Sequence, residues 1–138
     1  MTFFLRYTIS MNIIFISLPA LITPDTKETL KRQAKEFGAD CAFIAENSEG
    51  SLVTAIQNAY GASGVVLSAG DYAYYSIAIR DAISSIEKTP VVEVSLLNFH
   101  EDDASGHASV LSAVCAGVIS GFGQSGYSLA LRALFPEL

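Results

Sequence analysis

Apolar residues along this chain fall into two alternating rhythms. Short runs, among them Asn12-Ile13-Ile14-Phe15-Ile16, Cys41-Ala42-Phe43-Ile44, Val65-Val66-Leu67 and Val91-Val92, give way to longer stretches in which apolar positions return at helical spacing, as in Ile77, Ile79, Ala82, Ile83 and Ile86. A continuous apolar run suits a strand covered on both faces, and the helical period suits a helix with one apolar side. The pattern predicts strands at 12–17, 40–45, 64–68, 91–95 and 117–120, helices at 25–37, 50–60, 75–86 and 124–134, and a polar loop at 98–108. Thr23-Pro24-Asp25 with Glu28 reads as a helix start, and Gly38 as that helix's end. Strand and helix in turn argue a parallel, doubly wound sheet. In such a sheet ligands bind in the loops after the strands' carboxyl ends, which marks Ser68-Ala69-Gly70-Asp71 as the first place to look for chemistry.

Composition narrows the functional classes. At 138 residues the expectation is one domain, with no repeat, linker or low-complexity segment. A hydrophobic fraction of 51% and a mean hydropathy of +0.40 mean either a generous core or apolar surface buried between subunits. A net charge of −6 with eight Lys and Arg, and no basic cluster, leaves a nucleic-acid partner without an electrostatic footprint. Cys41 and Cys115 sit in apolar runs without metal spacing and read as buried core thiols. Residues 1–22 contain one charge, Arg6, and resemble a signal peptide or short membrane span in composition. Pro19 in their most apolar part and the strand pattern at 12–17 argue instead for a first strand and no membrane partner.

Four blocks carry a family resemblance. Gly70, Tyr72, Ser76, Ala78, Ile79, Arg80, Asp81 and Ala82 match the pattern I-N-P-G-A-Y-T-H-x-S-x-A-I-R-D-A. Asn47-Ser48-Glu49-Gly50 matches N-x-E-G, and Pro90-Val91-Val92-Glu93-Val94 with Asn98 and His100 matches P-x-I-E-V-H-x-S-N-x-H. Gly117 to Gly123, with Gly126-Tyr127 and Leu129-Ala130-Leu131, matches G-x-I-x-G-x-G-x-x-G-Y-x-L-A-L. In this order and over residues 12–134, the chain resembles the type II 3-dehydroquinate dehydratase family. The resemblance implies an α/β, flavodoxin-like three-layer sandwich with a five-stranded parallel sheet in the order 2-1-3-4-5. It also implies a cytoplasmic protein without a cofactor, assembled as a trimer and further as a dodecamer. Met11 stands where family members usually begin, so residues 11–138 are expected to form the domain and 1–10 an N-terminal extension, either an arm on a neighbour or the product of an upstream start codon.

The chemistry that the resemblance implies is a dehydration through an enolate, which needs a base, a donor for the enolate oxygen and an acid for the departing hydroxyl. In the family the base is a Tyr on a loop after the first strand, and an Arg on the same loop stabilises its anion. Here Leu18-Pro19-Ala20-Leu21-Ile22-Thr23-Pro24-Asp25 runs directly into the first helix, with no counterpart for that Arg or Tyr, and the family's water-ordering Asn falls on Ala20. The acid His falls on Ser95, the substrate-carboxylate Ser on Leu97, and an Arg of the following run near Gly106, beside Glu101, Asp102 and Asp103. The family's substrate-binding Asn falls on Ser68 and its substrate-binding His on Tyr74.

Asn47, Glu49 and His100 survive at family-like positions, each with a structural alternative. Asn47-Ser48 fits a helix cap with Glu49 in the first turn, Arg80 and Asp81 fit an ion pair, within the chain or between subunits, and Glu93 in an apolar strand calls for a buried partner. Tyr72, Tyr74 and Tyr75 read as packing or pocket-filling rings rather than a replacement base. His100 and His107, with Asp102 and Asp103 between them, are too weak a signal for a metal site. The sequence therefore reads as a dehydratase homologue with a degenerate site, a pseudoenzyme kept as a scaffold, subunit or small-molecule sensor. Expected ligand contacts are Ser68, Tyr74, Ser95 and Leu97, and expected partners are copies of itself and a small molecule. The alternative is an enzyme: a weak 3-dehydroquinate dehydratase of the shikimate or quinate pathway, or a lyase or hydrolase using Ser68, Asp71, Tyr74, Ser95 and His100.

Overall fold

Ile13 and Phe15 point to one side of the first strand and Ile16 to the other, all fully buried, so this strand needs a helical layer on each face. The computed structural model describes residues 11–99 and 108–136 and contains both layers. The elements run β1 (Met11–Ser17), α1 (Pro24–Glu36), β2 (Ala39–Ala45), α2 (Glu49–Asn58), β3 (Gly64–Ser68), a 3₁₀ turn (Gly70–Tyr74), α3 (Ile77–Ser85), β4 (Val91–Ser95), a second 3₁₀ turn (Ser112–Val114), β5 (Gly117–Ser120) and α4 (Ser125–Ala133). All strand pairings are parallel, in the order β2-β1-β3-β4-β5. This is the flavodoxin-like topology expected from the sequence.

The two cores follow from strand alternation. Ile16, Val65, Leu67 and Val91 meet Leu52, Ile56, Ile79 and Ile83 of α2 and α3. On the other face Ile13, Phe15, Val66 and Val92 meet Leu30 and Ala34 of α1 and Tyr127 and Leu131 of α4. Gly64 lets β3 pass between the helices and its neighbour strand, since a Cβ there would sit 2.8 Å from a methyl of Leu134.

Helix starts are set locally. Thr23 caps α1 by accepting from Thr26 N–H at 3.2 Å, with Pro24 in the first turn. Ser48 and Ser51 form a reciprocal capping box on α2. The helix expected at 75–86 is shorter and is preceded by the 3₁₀ turn, because Ser76 accepts from Ile79 N–H at 3.0 Å and so starts α3 at Ile77. Residues 11–17 form a central strand, as expected, and among the described residues no helix is long and apolar enough to cross a membrane. Cys41 and Cys115 are only partly buried, Cys41 packing at the margin of the core under α1 and α4 and Cys115 at the margin of the core under α2 and α3. The extension 1–10 lies outside the described residues.

Candidate functional site

Parallel register brings the carboxyl ends of the inner strands to one place. Ser17 stands opposite Ser68, and Leu67 opposite Glu93 in the middle of β4, so β1 and β3 end at one edge of the sheet and β4 runs on past them to Ser95. Beyond that edge the chain must turn sharply, and Gly70 does so at φ +58, a left-handed conformation that favours glycine. A Cβ at Gly70 would sit 2.6 Å from Leu18 Cδ1, so the turn also needs the missing side chain to pass the β1–α1 connection.

A cavity of about 200 Å³ opens here. Leu21 and Leu96–Leu97 flank it, Ser68 and Ser95 come from the strand ends, Glu93 from the middle of β4, and Asp71, Tyr74 and Phe99 from the segments that follow. Its charged lining groups among the described residues are two carboxylates, Asp71 and Glu93, with no Lys or Arg. Glu93 is 2% exposed, and burial of such a group demands donors. Ser109 Oγ donates to its Oε2 at 2.5 Å and Ser112 Oγ to its Oε1 at 2.6 Å. Ser95 Oγ donates to the Leu97 carbonyl at 2.7 Å, which turns the hydroxyl back on its own loop. Tyr74 and Phe99 meet edge to face with centroids 5.9 Å apart.

The β1–α1 connection, residues 18–23, is short and fastened at both ends. Leu18 N–H donates to the Ser68 carbonyl at 3.2 Å. The Leu21 carbonyl accepts from Gln124 Nε2 at 2.8 Å and from Tyr127 Oη at 3.0 Å, and Gln124 Oε1 accepts from Thr23 N–H at 3.2 Å. Burial pushes the Tyr127 phenol up, against a smaller opposing effect of the Ser68 hydroxyl. Ala20 within this connection has φ 66, a conformation that a side chain disfavours.

A flavodoxin-like sheet with a cavity at the carboxyl ends of its inner strands defines a class of α/β ligand-binding proteins and enzymes. The family model for dehydroquinase class II matches residues 21–135. The chain is 45% identical over 118 residues to a 3-dehydroquinate dehydratase of Bacillus cytotoxicus, covering 84% of this chain and 80% of that one. It is 44% identical over 115 residues to the 3-dehydroquinate dehydratase of a Jannaschia species, covering 83% of this chain and 77% of that one. Among solved structures it is similar to the type II dehydroquinase from Butyrivibrio crossotus, with a TM-score of 0.85 and 30% identity, covering 91% of this chain and 98% of that one. The chain belongs to the type II dehydroquinase family.

Of the residues singled out in the sequence, Ser68, Asp71, Tyr74, Ser95 and Leu97 come together around the cavity. Leu97 is nonetheless 70% exposed and stands at the rim. Asn47 and Glu49 are not among the lining residues: Asn47 is exposed beside the α2 cap, and Glu49 sits in the first turn of α2. His100, His107, Gly106 and the acidic run Glu101 to Asp103 lie outside the described residues. Within the subunit Arg80 and Asp81 do not pair with each other, because adjacent helical positions diverge around the axis. Tyr72 and Tyr75 pack on each other with centroids 5.8 Å apart. Sequence reasoning missed Phe99 as a lining residue and Ser109 and Ser112 as the partners of Glu93; the only signal was the demand of a buried carboxylate for donors.

Proposed function

We propose that this chain is a type II dehydroquinase homologue without dehydratase turnover, whose cavity is kept as a small-molecule site on a scaffold or sensor subunit. The observation that carries this reading is the β1–α1 connection. It holds no Tyr and no Arg, and Gln124 and Tyr127 fasten it to α4 where the family resemblance calls for a loop bearing base and activator. Ser95 in the acid's place is too weak an acid for the departing hydroxyl, and the lining offers no described cation for the substrate's carboxylate.

The test is an absorbance assay for the enone formed from 3-dehydroquinate at high protein concentration. The expected result is no turnover above the buffer rate. Turnover within about tenfold of an ordinary enzyme's 1 to 10³ per second would overturn the reading. The identity of 44–45% to relatives named 3-dehydroquinate dehydratase favours a second reading, an active carbon–oxygen lyase completed by groups from a neighbouring subunit, and the same assay decides between the two.

The family resemblance further supports a cytoplasmic homo-oligomer of threefold symmetry, a trimer or a dodecamer. Ile77 on α3 is 56% exposed and Phe122 after β5 is 62% exposed, apolar surface that an interface would cover. Light scattering at micromolar concentration should give a multiple of three subunits, and a monomer would contradict it.

A further inference from the structure

We propose that the cavity at the ends of β3 and β4 is a binding site for a small organic cation, a compact amine with an apolar body, so that its charge selectivity is the reverse of a carboxylate site. This rests on the reading that the cavity no longer serves the dehydration. Its charged groups set the sign: Asp71 and Glu93 line it, and no described Lys or Arg does. An anion entering would leave water to face two like charges, whereas an ammonium would meet opposite ones.

Glu93 is suited to this role by the way it is held. Its two serine donors approach one oxygen each, and a carboxylate oxygen has a second lone-pair direction, so the group keeps acceptor capacity for a ligand N–H. Tyr74 and Phe99 both line the cavity, and aromatic rings of this kind can attract a cation. Leu21, Val94 and Leu96 provide an apolar wall for the rest of the molecule. A cavity of about 200 Å³ suits a compact ligand.

Cyclohexylammonium and cyclohexanol share one ring and one size and differ in charge, so calorimetric titration of the intact protein with the two isolates the electrostatic preference, and cyclohexanecarboxylate adds a probe of the opposite sign. The ammonium should bind at least tenfold tighter than the alcohol, and the carboxylate should not bind at millimolar concentration. Glu93→Gln should remove most of that preference. Should it fail to fold, Asp71→Asn at an exposed position and Tyr74→Leu at the rim should each reduce the ratio severalfold. Carboxylate binding as tight as the ammonium's overturns the proposal. So does an absence of ammonium binding, or a ratio unchanged by all three substitutions. The enone assay fails independently: no turnover and no ammonium binding sinks this inference alone, whereas turnover sinks the function reading on which it rests.

Discussion

Ser112 Oγ donates a 2.6 Å hydrogen bond to Glu93 Oε1, and so ties the segment before β5 to the middle of β4. Glu93 stands where the family resemblance places a Glu two residues before the acid His, and here that next-but-one position is Ser95, whose hydroxyl bonds to Leu97 instead. The carboxylate is satisfied by the two serines of the segment before β5. A hydrogen bond to a buried charged group is worth about 1.5–3 kcal/mol, so Ser112→Ala should lower unfolding free energy by about that much, and Ser109→Ala similarly. Urea denaturation with an unchanged slope would measure it. A loss below about 0.5 kcal/mol in both variants would mean that water replaces the serines without penalty.

Ala20 sits at φ 66 in the β1–α1 connection, where the family resemblance places an Asn. A residue with a Cβ is penalised by about 1–2 kcal/mol in the left-handed region, and Asn, whose side chain bonds locally, less so. Ala20→Asn should therefore stabilise the protein by a few tenths to about 1 kcal/mol, raising Tm by roughly 2–5 °C. A lowered Tm would show that the connection does not hold this conformation in solution.

Restoring one catalytic group should restore nothing. Ser95→His returns an acid to its place, but residues 18–23 still contain neither Tyr nor Arg, and groups that act as a unit are not additive. The variant should form enone from 3-dehydroquinate no faster than the parent. Measurable turnover from this change alone would mean that the chain already holds a working base.

Alkaline pH should destabilise the fold before any ligand is considered. Burial, and to a lesser degree the Glu93 charge, push the Cys115 thiol up from 9.0 to about 12. Burial also raises Tyr127 above 10.0, and raises Cys41. A folded-state value above the unfolded one means that the native protein holds the proton more tightly, so this contribution is complete below about pH 9 and is lost as pH rises toward 12. Denaturation midpoints should fall from about pH 9 upward, and Cys115→Ala should flatten that fall. At neutral pH Cys115 should react with thiol reagents far more slowly than an exposed thiol, since the thiolate is the nucleophile.

The connection between β1 and α1 is held by Tyr127 and Gln124, and Tyr127→Phe removes one of two donors to the Leu21 carbonyl while keeping the ring in its core. It should cost about 1 kcal/mol, because the Gln124 donor remains. Hydrogen exchange in residues 18–23 should speed up selectively if this bond fastens the loop, and unchanged exchange there would contradict it.

The apolar patterning determined by itself the alternation of strands and helices, since strands covered on both faces must be continuous apolar runs and helices covered on one must repeat with the helical period. The motif blocks in family order determined the sheet order, and that residues 18–23 hold no Tyr or Arg and position 95 holds Ser, where the family resemblance calls for Tyr, Arg and His, is read from the sequence alone. Only the tertiary structure decided which polar groups meet. Ser109 and Ser112 reach Glu93 across 16 and 19 residues, and Gln124 and Tyr127 reach Leu21 across 103 and 106. Asn47 and Glu49, matched by motif to a family block, lie outside the cavity lining, with Glu49 in the first turn of α2 and Ser48 between them as its cap. Burial is an average over many side chains and leaves a period in the chain, whereas a hydrogen bond joins two particular atoms that folding brings together and leaves none.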